Sequence, residues 1–154
     1  TQTGGRISEI MKNLPKEKVI ATYGDGLANV SIKKLLHFHN SHGKLATVTA
    51  VRPPARFGYM KINNNEVTHF GEKNQSDAGW INGGFFILEP EVVEYISGDS
   101  EPFESGALVK LSNESQLMAY HHEGFWQPMD TLRDKIYLEN LIESKKAPWK
   151  IWEE

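Results

Sequence analysis

The amino-acid sequence predicts an α/β domain, and three observations support this. Apolar residues recur at helical spacing in two early segments, and a continuous apolar run typical of buried strands follows each one. The resulting order of helix, strand, helix, strand is the signature of α/β folds. The 154-residue chain is 39% apolar and 24% charged, an ordinary globular composition with enough length for a core. We expect a single domain over residues 1–154.

The first predicted helix and strand lie within residues 4–26. One helical face carries four apolar residues, namely Ile7, Ile10, Met11 and Leu14. The pattern predicts a helix entered through Gly-Gly at residues 4–5 and stopped by Pro15. Residues 18–23 form a mostly apolar run closed by Gly-Asp-Gly at residues 24–26. Its continuous hydrophobicity predicts a strand buried on both faces, as in a parallel sheet.

The second helix and strand follow within residues 31–51. Ser31 is a candidate N-cap, and Gly43 is a candidate C-terminal stop. His39 lies on the apolar stripe of this helix, whereas His37 faces the opposite way. Residues 45–51 predict the next buried strand.

A hairpin and several further elements complete the predicted fold. Residues 57–62 and 67–70 flank three asparagines at 63–65, a residue type that tolerates positive φ at a hairpin tip. The later elements are a strand over 80–88, a helix from Pro90 to about 97, a helix around 103–111, a strand over 117–121 and a helix over 132–144 capped by Thr131.

Composition excludes several classes of protein. No stretch approaches the roughly 20 consecutive apolar residues of a membrane helix. The absence of cysteine excludes a disulfide framework, a thiolate zinc site and a cysteine nucleophile, and it fits a reducing compartment such as the cytoplasm. The net charge of −3 argues against a broad surface for duplex nucleic acid, although a small anion pocket stays open. We expect neither a membrane nor a nucleic acid as partner.

Two carboxylates from separate segments are candidate metal ligands. Asp25 lies between glycines where a predicted strand ends, at the edge where open α/β folds bind ligands, and such a carboxylate suits Mg²⁺. Asp130 precedes the last long helix. The alternatives are a Gly-rich turn for Asp25 and helix capping by Asp130 or Thr131. Spacing in the sequence leaves open whether the two carboxylates converge.

Four further residues are candidate ligands of a sugar phosphate. Lys73 is a point-charge phosphate binder, and the neighbouring Glu72 can accept hydrogen bonds from sugar hydroxyls. Asn82 and Gly83 offer an amide and bare backbone to the same ligand. The alternative is a solvated charge pair and a β-bulge.

Other polar residues give weaker signals. The six histidines do not predict a metal site. His37 and His39 point to opposite sides of their predicted helix, and the adjacent His121 and His122 would face opposite sides of a strand. Core or surface histidine is the favoured interpretation. Arg52 and Arg56 lie on a proline-stiffened loop, which is either the border of an anion pocket or an ordinary surface loop.

The motifs occur in a fixed order. They are Thr-Gly-Gly-Arg at 3–6, Thr-Tyr-Gly-Asp-Gly at 22–26, Pro-Pro-Ala-Arg-Phe-Gly at 53–58, Glu-Lys at 72–73, Ile-Asn-Gly-Gly-Phe-Phe at 81–86, Gly-Phe-Trp-Gln-Pro-Met-Asp-Thr-Leu-Arg-Asp at 124–134 and Lys-Ala-Pro-Trp-Lys at 146–150. Over essentially the whole chain this set resembles the carboxyl-terminal part of sugar-nucleotide pyrophosphorylases, and most of all the glucose-1-phosphate cytidylyltransferases. The string at 124–134 and the tail are the most specific segments.

The resemblance implies a fold and a reaction. The fold would be a three-layer, Rossmann-like mixed sheet of the nucleotide-diphospho-sugar transferase type, with a hairpin insertion and an incomplete N-terminal side. The reaction would be the Mg²⁺-dependent conversion of CTP and α-D-glucose 1-phosphate to CDP-glucose and pyrophosphate, in deoxysugar or O-antigen-type polysaccharide biosynthesis. Such chemistry needs positioning and charge neutralisation more than a nucleophile.

The resemblance also implies roles for single residues. Asp25 and Asp130 would hold Mg²⁺, and with Lys73 they would form the catalytic set. The nucleotide would contact Thr1, Arg6 and Gly24. The sugar phosphate would contact Glu72, Lys73, Asn82 and Gly83. The tail is similar to a segment that builds oligomer contacts, which favours a homo-oligomer.

The chain also departs from this family. It contains no Gly-Gly-X-Gly-Thr-Arg loop, residues 104–108 differ from the usual Glu-X-X-Pro-Leu, and the first residue is Thr rather than Met. We therefore expect a truncated, cleaved or reduced enzyme that is inactive alone and acts with an N-terminal half. Two alternatives remain: a non-catalytic sugar-phosphate-binding module, and a fragment that associates through a bare sheet edge. The base that would be recognised also stays open.

Overall fold

A computed structural model describes residues 1–14, 16–54, 58–72 and 79–151. The elements in chain order are α1 (Thr3–Asn13), β1 (Val19–Thr22), β2 (Gly26–Ala28), α2 (Ile32–His42), β3 (Ala46–Val51), β4 (Gly58–Asn63), β5 (Glu66–Glu72), β6 (Ile81–Leu88), a 3-10 helix (Pro90–Tyr95), α3 (Ala107–Asn113), β7 (Leu117–His122), β8 (Trp126–Pro128) and α4 (Leu132–Glu143). A four-stranded sheet has the order β1-β6-β3-β7, and β2–β8 and β4–β5 form two-stranded ribbons. This confirms the predicted α/β class. None of the described helices is long and apolar enough to cross a membrane.

The chain divides into two compact units. The first unit consists of Thr1–Gly24, Ser31–Thr49 and Gly84–His121, and the second of Asp25–Val30, Ala50–Gly83 and His122–Glu154. The assignment of residues 1–154 to one domain stays a prediction.

The core of the first unit forms around β6. Phe86 and Leu88 of this strand are buried, and the Phe86 ring packs edge-on against Phe103 with a centroid distance of 5.6 Å. The other buried members of this cluster are Met11, Ala46, Val92, Ile96, Ala107, Leu108 and Leu111. They come from α1, β3, the 3-10 helix and the residue that follows it, and α3, so burial of their apolar surface ties these elements together.

The prediction that β1 is buried on both faces in a parallel arrangement is wrong. β1 pairs antiparallel with β6, from Val19 opposite Leu88 to Thr22 opposite Phe85. Its side chains alternate between half-buried and exposed, and Ile20 is 48% exposed. The cause is position, because β1 lies at the edge of the sheet that the described residues form.

Helix α1 begins earlier than the sequence predicts, so Gly4 and Gly5 lie inside the helix rather than before it. A Cβ atom on Gly4 would lie 2.5 Å from the carbonyl oxygen of Glu101, and one on Gly5 would lie 2.6 Å from Cα of Asp99. The Gly4 amide donates to that Glu101 oxygen at 3.0 Å. Because glycine has no Cβ atom, α1 can pack directly on this backbone, and that packing offsets the low helix propensity of the two glycines. The predicted stop, Pro15, lies outside the described residues.

Helix caps and turns agree with the sequence in three places. Ser31 Oγ accepts a hydrogen bond from the Lys34 amide at 3.3 Å, and Gly43 ends α2 with φ of 63°. Thr131 caps α4. The hairpin tip contains Asn64 and Asn65 with φ of 45° and 69°. Left-handed backbone at both central residues is what a tight hairpin turn requires.

Two helix predictions need correction. The helix predicted from Pro90 to about residue 97 is a 3-10 helix that ends at Tyr95. The helix predicted around residues 103–111 begins only at Ala107, because residues 103–106 form turns. The Glu101 side chain lies against Gly106 there, where a Cβ atom would be 2.0 Å from Glu101 Oε1.

A chain of hydrogen bonds runs through two histidines of α2 in the first unit. The Lys44 amide donates to His42 Nδ1 at 3.0 Å, which assigns the ring proton of His42 to Nε2. His42 Nε2 donates to Thr47 Oγ1 at 2.8 Å, and the Thr47 hydroxyl donates to His39 Nδ1 at 2.8 Å. His39 Nε2 then contacts Glu89 Oε1 at 3.1 Å. His39 is thus a core residue, as the sequence favours.

Acid is expected to destabilise this arrangement. Burial and the charges of His39 and Lys44 lower the pKa of His42 from its ordinary 6.5. The unfolded chain therefore takes up the proton first, so the contribution of His42 to the free energy of unfolding is complete above about pH 6.5 and is lost as the pH drops below it. Burial opposes a similar shift at Glu89, but hydrogen bonds from Lys18 and His39 still hold its pKa below 4.5. Glu89 therefore adds a second loss of stability below about pH 4.5.

Urea denaturation between about pH 8 and pH 5 measures the histidine part of this loss. His42→Gln is expected to flatten the profile, because it removes the titrating ring. The matched control is His37→Gln, since His37 is exposed on the same helix and should keep the wild-type profile. A His42→Gln profile as steep as that of the wild type would contradict the assignment.

Candidate functional site

The predicted site residues are distributed over both units. Thr1, Arg6 and Gly24 belong to the first unit, whereas Asp25, Glu72, Asn82, Gly83 and Asp130 belong to the second. Lys73 lies outside the described residues.

In the second unit, the β2–β8 ribbon brings two carboxylate-bearing segments side by side. Gly26 pairs opposite Pro128, and the Met129 amide donates to the Asp25 carbonyl oxygen at 2.7 Å. Asp25 immediately precedes β2, and Asp130 follows β8 by two residues, so both come to the same end of the ribbon. Both residues are exposed. The sequence left open whether these segments converge, and their backbones are adjacent.

Sequence reasoning missed this ribbon. Each of its strands has only three residues, and they contain Gly26 and Pro128, which are poor strand formers. Strands this short show no alternation of polar and apolar residues that could be detected. The string at 124–134, which contains β8, was singled out for its resemblance to a family and not for any strand pattern.

Trp126 links the ribbon to the Asn82–Gly83 segment. Its indole Nε1 donates to the Gly83 carbonyl oxygen at 2.9 Å. A Cβ atom on Gly26 would lie 3.7 Å from this Nε1 and 4.0 Å from the Gly83 oxygen, so the indole edge is close to both glycines. Gly83 is buried and Asn82 is exposed. Hydrogen bonds within the second unit therefore tie together all three segments, and sequence reasoning had not singled out Trp126.

Capping of α4 is performed by Thr131 and Asp134. The Thr131 hydroxyl accepts from the Asp134 amide, and Asp134 Oδ2 accepts from the Thr131 amide at 3.0 Å. Gln127, only 7% exposed, donates to Asp134 Oδ1 at 3.0 Å and so ties β8 to the same helix end. The capping alternative for Asp130 is therefore wrong, because the neighbouring residues already form a complete capping box.

In the first unit, Tyr23, which directly precedes Gly24, is held by a hydrogen bond to Glu104. Thr1, Arg6 and Gly24 are all exposed, and Arg6 lies on α1. The Tyr23 hydroxyl donates to the Glu104 carboxylate, which also accepts from Thr3 Oγ1 at 2.9 Å. These bonds anchor the end of β1 where it leads into Gly24.

The protonation of Glu104 reflects these partners. Its burial favours the neutral acid, but the hydrogen bonds from Tyr23, from its own backbone and from Thr3 prevail and hold the pKa below its ordinary value. Glu104 is therefore an ionised anchor at neutral pH.

The remaining candidates are on or near the hairpin. Glu72 ends β5, with its backbone opposite Gly58. The Arg52 guanidinium lies 4.3 Å from the centroid of the Trp80 ring, a cation–π contact within the second unit. Arg56 lies outside the described residues, so a pocket bordered by both arginines stays a prediction.

A metal ion would have few protein ligands here. Within the described ranges, no group of three or more His, Asp or Glu residues is arranged to hold one. Mg²⁺ is commonly held by one or two carboxylates together with phosphates and waters, so a pair such as Asp25 and Asp130 fits its needs.

Comparison with known proteins identifies one family. The family model described as nucleotidyl transferase matches residues 6–140. The chain is 48% identical over 154 residues to a glucose-1-phosphate cytidylyltransferase of Salmonella typhimurium, covering 99% of this chain and 60% of that protein. It is 32% identical over 138 residues to a mannose-1-phosphate guanyltransferase of Saccharomyces cerevisiae, covering 82% of this chain and 38% of that protein.

A solved structure is similar as well. The crystal structure of HddC from Yersinia pseudotuberculosis matches with a TM-score of 0.58 at 22% identity, over 88% of this chain and 60% of that one. This likeness concerns the fold alone, which is the mixed α/β fold that the sequence predicts. The chain thus spans about 60% of the length of the Salmonella protein and of HddC.

Proposed function

The chain belongs to the nucleotidyl transferase family, and from this we propose that it forms part of a glucose-1-phosphate cytidylyltransferase. In the proposed reaction a phosphate oxygen of α-D-glucose 1-phosphate forms a bond to the α-phosphorus of CTP as the bond to pyrophosphate breaks. CDP-glucose and pyrophosphate are the products. The observation that carries this proposal is the 48% identity over 99% of the chain to the Salmonella enzyme of that name. A cytoplasmic role in polysaccharide biosynthesis is part of the proposal.

Asp25 and Asp130 are the proposed holders of Mg²⁺. The Met129–Asp25 backbone bond brings their segments together, and both carboxylates are hard oxygen donors. When bound, the ion would neutralise charge on the phosphates. Asp25 and Asp130 would fix that charge at the end of the β2–β8 ribbon.

The other residues position the substrates. Asn82 and Gly83 are the second and third residues of β6, tied to the ribbon through the Gly83 carbonyl oxygen. The exposed Asn82 amide suits a sugar phosphate, with the Gly83 backbone, Glu72 and Lys73 as further proposed contacts. The proposed nucleotide contacts are Thr1, Arg6 and Gly24. Positioning and neutralisation are enough for this direct transfer, so no nucleophile is assigned.

A second candidate function is sugar-phosphate binding without transfer. It is favoured by the second unit, in which the exposed Asn82 belongs to a segment that is hydrogen-bonded to the β2–β8 ribbon. As part of a cytidylyltransferase, by contrast, the chain is proposed to act in a homo-oligomer or together with a separate N-terminal half.

Calorimetry with glucose 1-phosphate and Mg²⁺ tests both candidates. We expect binding by the chain, about tenfold weaker in Lys73→Ala because the variant loses a charge-assisted phosphate contact. Lys33→Ala, at an exposed position of α2, is the control and should bind normally. Mannose 1-phosphate should bind more weakly than glucose 1-phosphate.

A turnover assay with CTP tests the binding-only candidate, because both candidates expect the chain alone to be inactive and only the binding-only candidate is contradicted by product. We expect no CDP-glucose from the chain alone. Substantial turnover would overturn the binding-only candidate, and failure of the folded chain to bind glucose 1-phosphate would contradict both. Preference for mannose 1-phosphate would point instead to guanyltransferase-type specificity.

A further inference from the structure

Trp126 lies where three segments of the proposed site meet in the second unit. It pairs opposite Ala28 in the ribbon, and its indole N–H reaches the Gly83 carbonyl oxygen at 2.9 Å. We propose that Trp126 is a positioning residue, whose indole N–H holds the Asn82–Gly83 segment against the ribbon that carries Asp25 and Asp130. This inference rests on the proposed function, since it assigns Asn82 and Gly83 to the sugar phosphate.

The Asn82–Gly83 segment lies near the start of β6, where the Tyr23 amide holds the next residue, Gly84, through its carbonyl oxygen at 3.2 Å. The indole bond adds an anchor at Gly83. Two consecutive glycines, Gly83 and Gly84, follow Asn82, and glycine has the largest backbone freedom of any residue. Gly83 has no side chain through which it could be fixed, so its peptide group must be held through its backbone atoms. The indole N–H is a donor with one fixed direction, and it therefore sets the orientation of the Gly83 carbonyl group.

The two carboxylates are held by a different bond. Met129 and Asp25 are joined through their backbones at 2.7 Å, and the indole takes no part in this contact. Loss of the indole N–H should therefore loosen the segment at residues 82–83 and leave the carboxylate pair in place. This separation distinguishes positioning from a general contribution to stability.

Trp126→Phe, which keeps an aromatic ring and removes the N–H donor, tests the inference. In the full chain we expect glucose 1-phosphate, measured by calorimetry with saturating Mg²⁺, to bind about tenfold more weakly. Mn²⁺ alone, measured by electron paramagnetic resonance, should bind within about twofold of the wild type. Hydrogen exchange at the amides of residues 82–84 should become faster. Trp149→Phe, at a tryptophan that stacks on Phe125 in the same unit, is the control and should change none of the three.

The results for Trp126→Phe distinguish a positioning role of the indole from a purely structural one. Unchanged sugar-phosphate binding together with unchanged exchange in Trp126→Phe would overturn the inference. Equal loss of Mn²⁺ and sugar-phosphate binding, with faster exchange throughout the second unit, would also overturn it in favour of a purely structural role. If the wild type binds no sugar phosphate, the proposed function fails. The hydrogen-exchange measurement still tests the positioning role of Trp126 independently. Faster exchange confined to residues 82–84 in Trp126→Phe supports this role, and unchanged exchange refutes it.

Discussion

Phe86→Ala is expected to lower the free energy of unfolding by about 3–5 kcal/mol. The Phe86 ring is 1% exposed and packs edge-on against Tyr23 and Phe103, with centroid distances of 5.7 Å and 5.6 Å. Truncation would leave a cavity between two aromatic rings that are held by the strand and the turn on either side. Such a loss is a large share of the roughly 5–15 kcal/mol that stabilises a typical domain.

Urea denaturation followed by circular dichroism measures the effect. Phe86→Leu should give a smaller loss, because it keeps most of the apolar volume. The control is Val109→Ala on α3, where the valine is 47% exposed and truncation should cost less than about 1 kcal/mol. A loss in Phe86→Ala no larger than that of the control would contradict the placement of this ring at the centre of the core.

Asp25→Asn is expected to weaken binding of Mn²⁺, used as a probe for Mg²⁺, by more than about tenfold. The substitution removes one of the two proposed ligand charges and keeps the size of the side chain. It also keeps the hydrogen bond from Met129, because the acceptor is the backbone carbonyl of residue 25. The loss can therefore be assigned to the carboxylate rather than to the ribbon.

The controls for this prediction come from other carboxylates of the chain. Asp130→Asn should show a similar loss if both residues hold one ion. Asp99→Asn, at an exposed position of the first unit, should bind Mn²⁺ as the wild type does. Normal binding in Asp25→Asn, or no binding in the wild type, would refute the proposed metal role.

Elements with local signals were predictable from the sequence. Ser31 and Gly43 delimit α2, Thr131 caps α4, and the asparagines at the hairpin tip adopt left-handed backbone. In each case a single residue either satisfies a nearby backbone group or permits a φ value that other residues avoid. Such chemistry acts over three or four residues, and a sequence pattern can detect it.

Elements that depend on distant partners were not predictable in this way. The apolar run of β1 gives no sign that the strand lies at an edge, since its exposure depends on the order of strands in the sheet. The glycines of α1 break the rules of helix propensity, and only the backbone at residues 99–101 explains why they are there. Just before α3, a Cβ atom on Gly106 would likewise lie 2.0 Å from Glu101 Oε1, a contact that the spacing of apolar residues does not reveal.

The candidate site also has one part that the sequence could predict and one part that it could not. Asp25, Asn82, Gly83 and Asp130 were proposed as site residues from their residue types and from the resemblance to a family, and their roles stay predictions. Their arrangement depends on hydrogen bonds between residues that are far apart in the chain, such as the bond between Met129 and Asp25. The proposed role of Trp126 also rests on a long-range contact, because its partner Gly83 lies more than forty residues away. Lys73 and its phosphate role stay a prediction.

The interleaving of the two units has a consequence for synthesis on the ribosome. Each unit is assembled from three separate stretches, and the first unit takes its last stretch from residues as late as His121. Phe103 and Leu111 belong to its core, so α1 and β1 emerge from the exit tunnel well before the residues that bury them. Vectorial folding of this unit must therefore wait until most of the chain has been translated, and in that interval the nascent apolar segments depend on chaperones or on their own solubility.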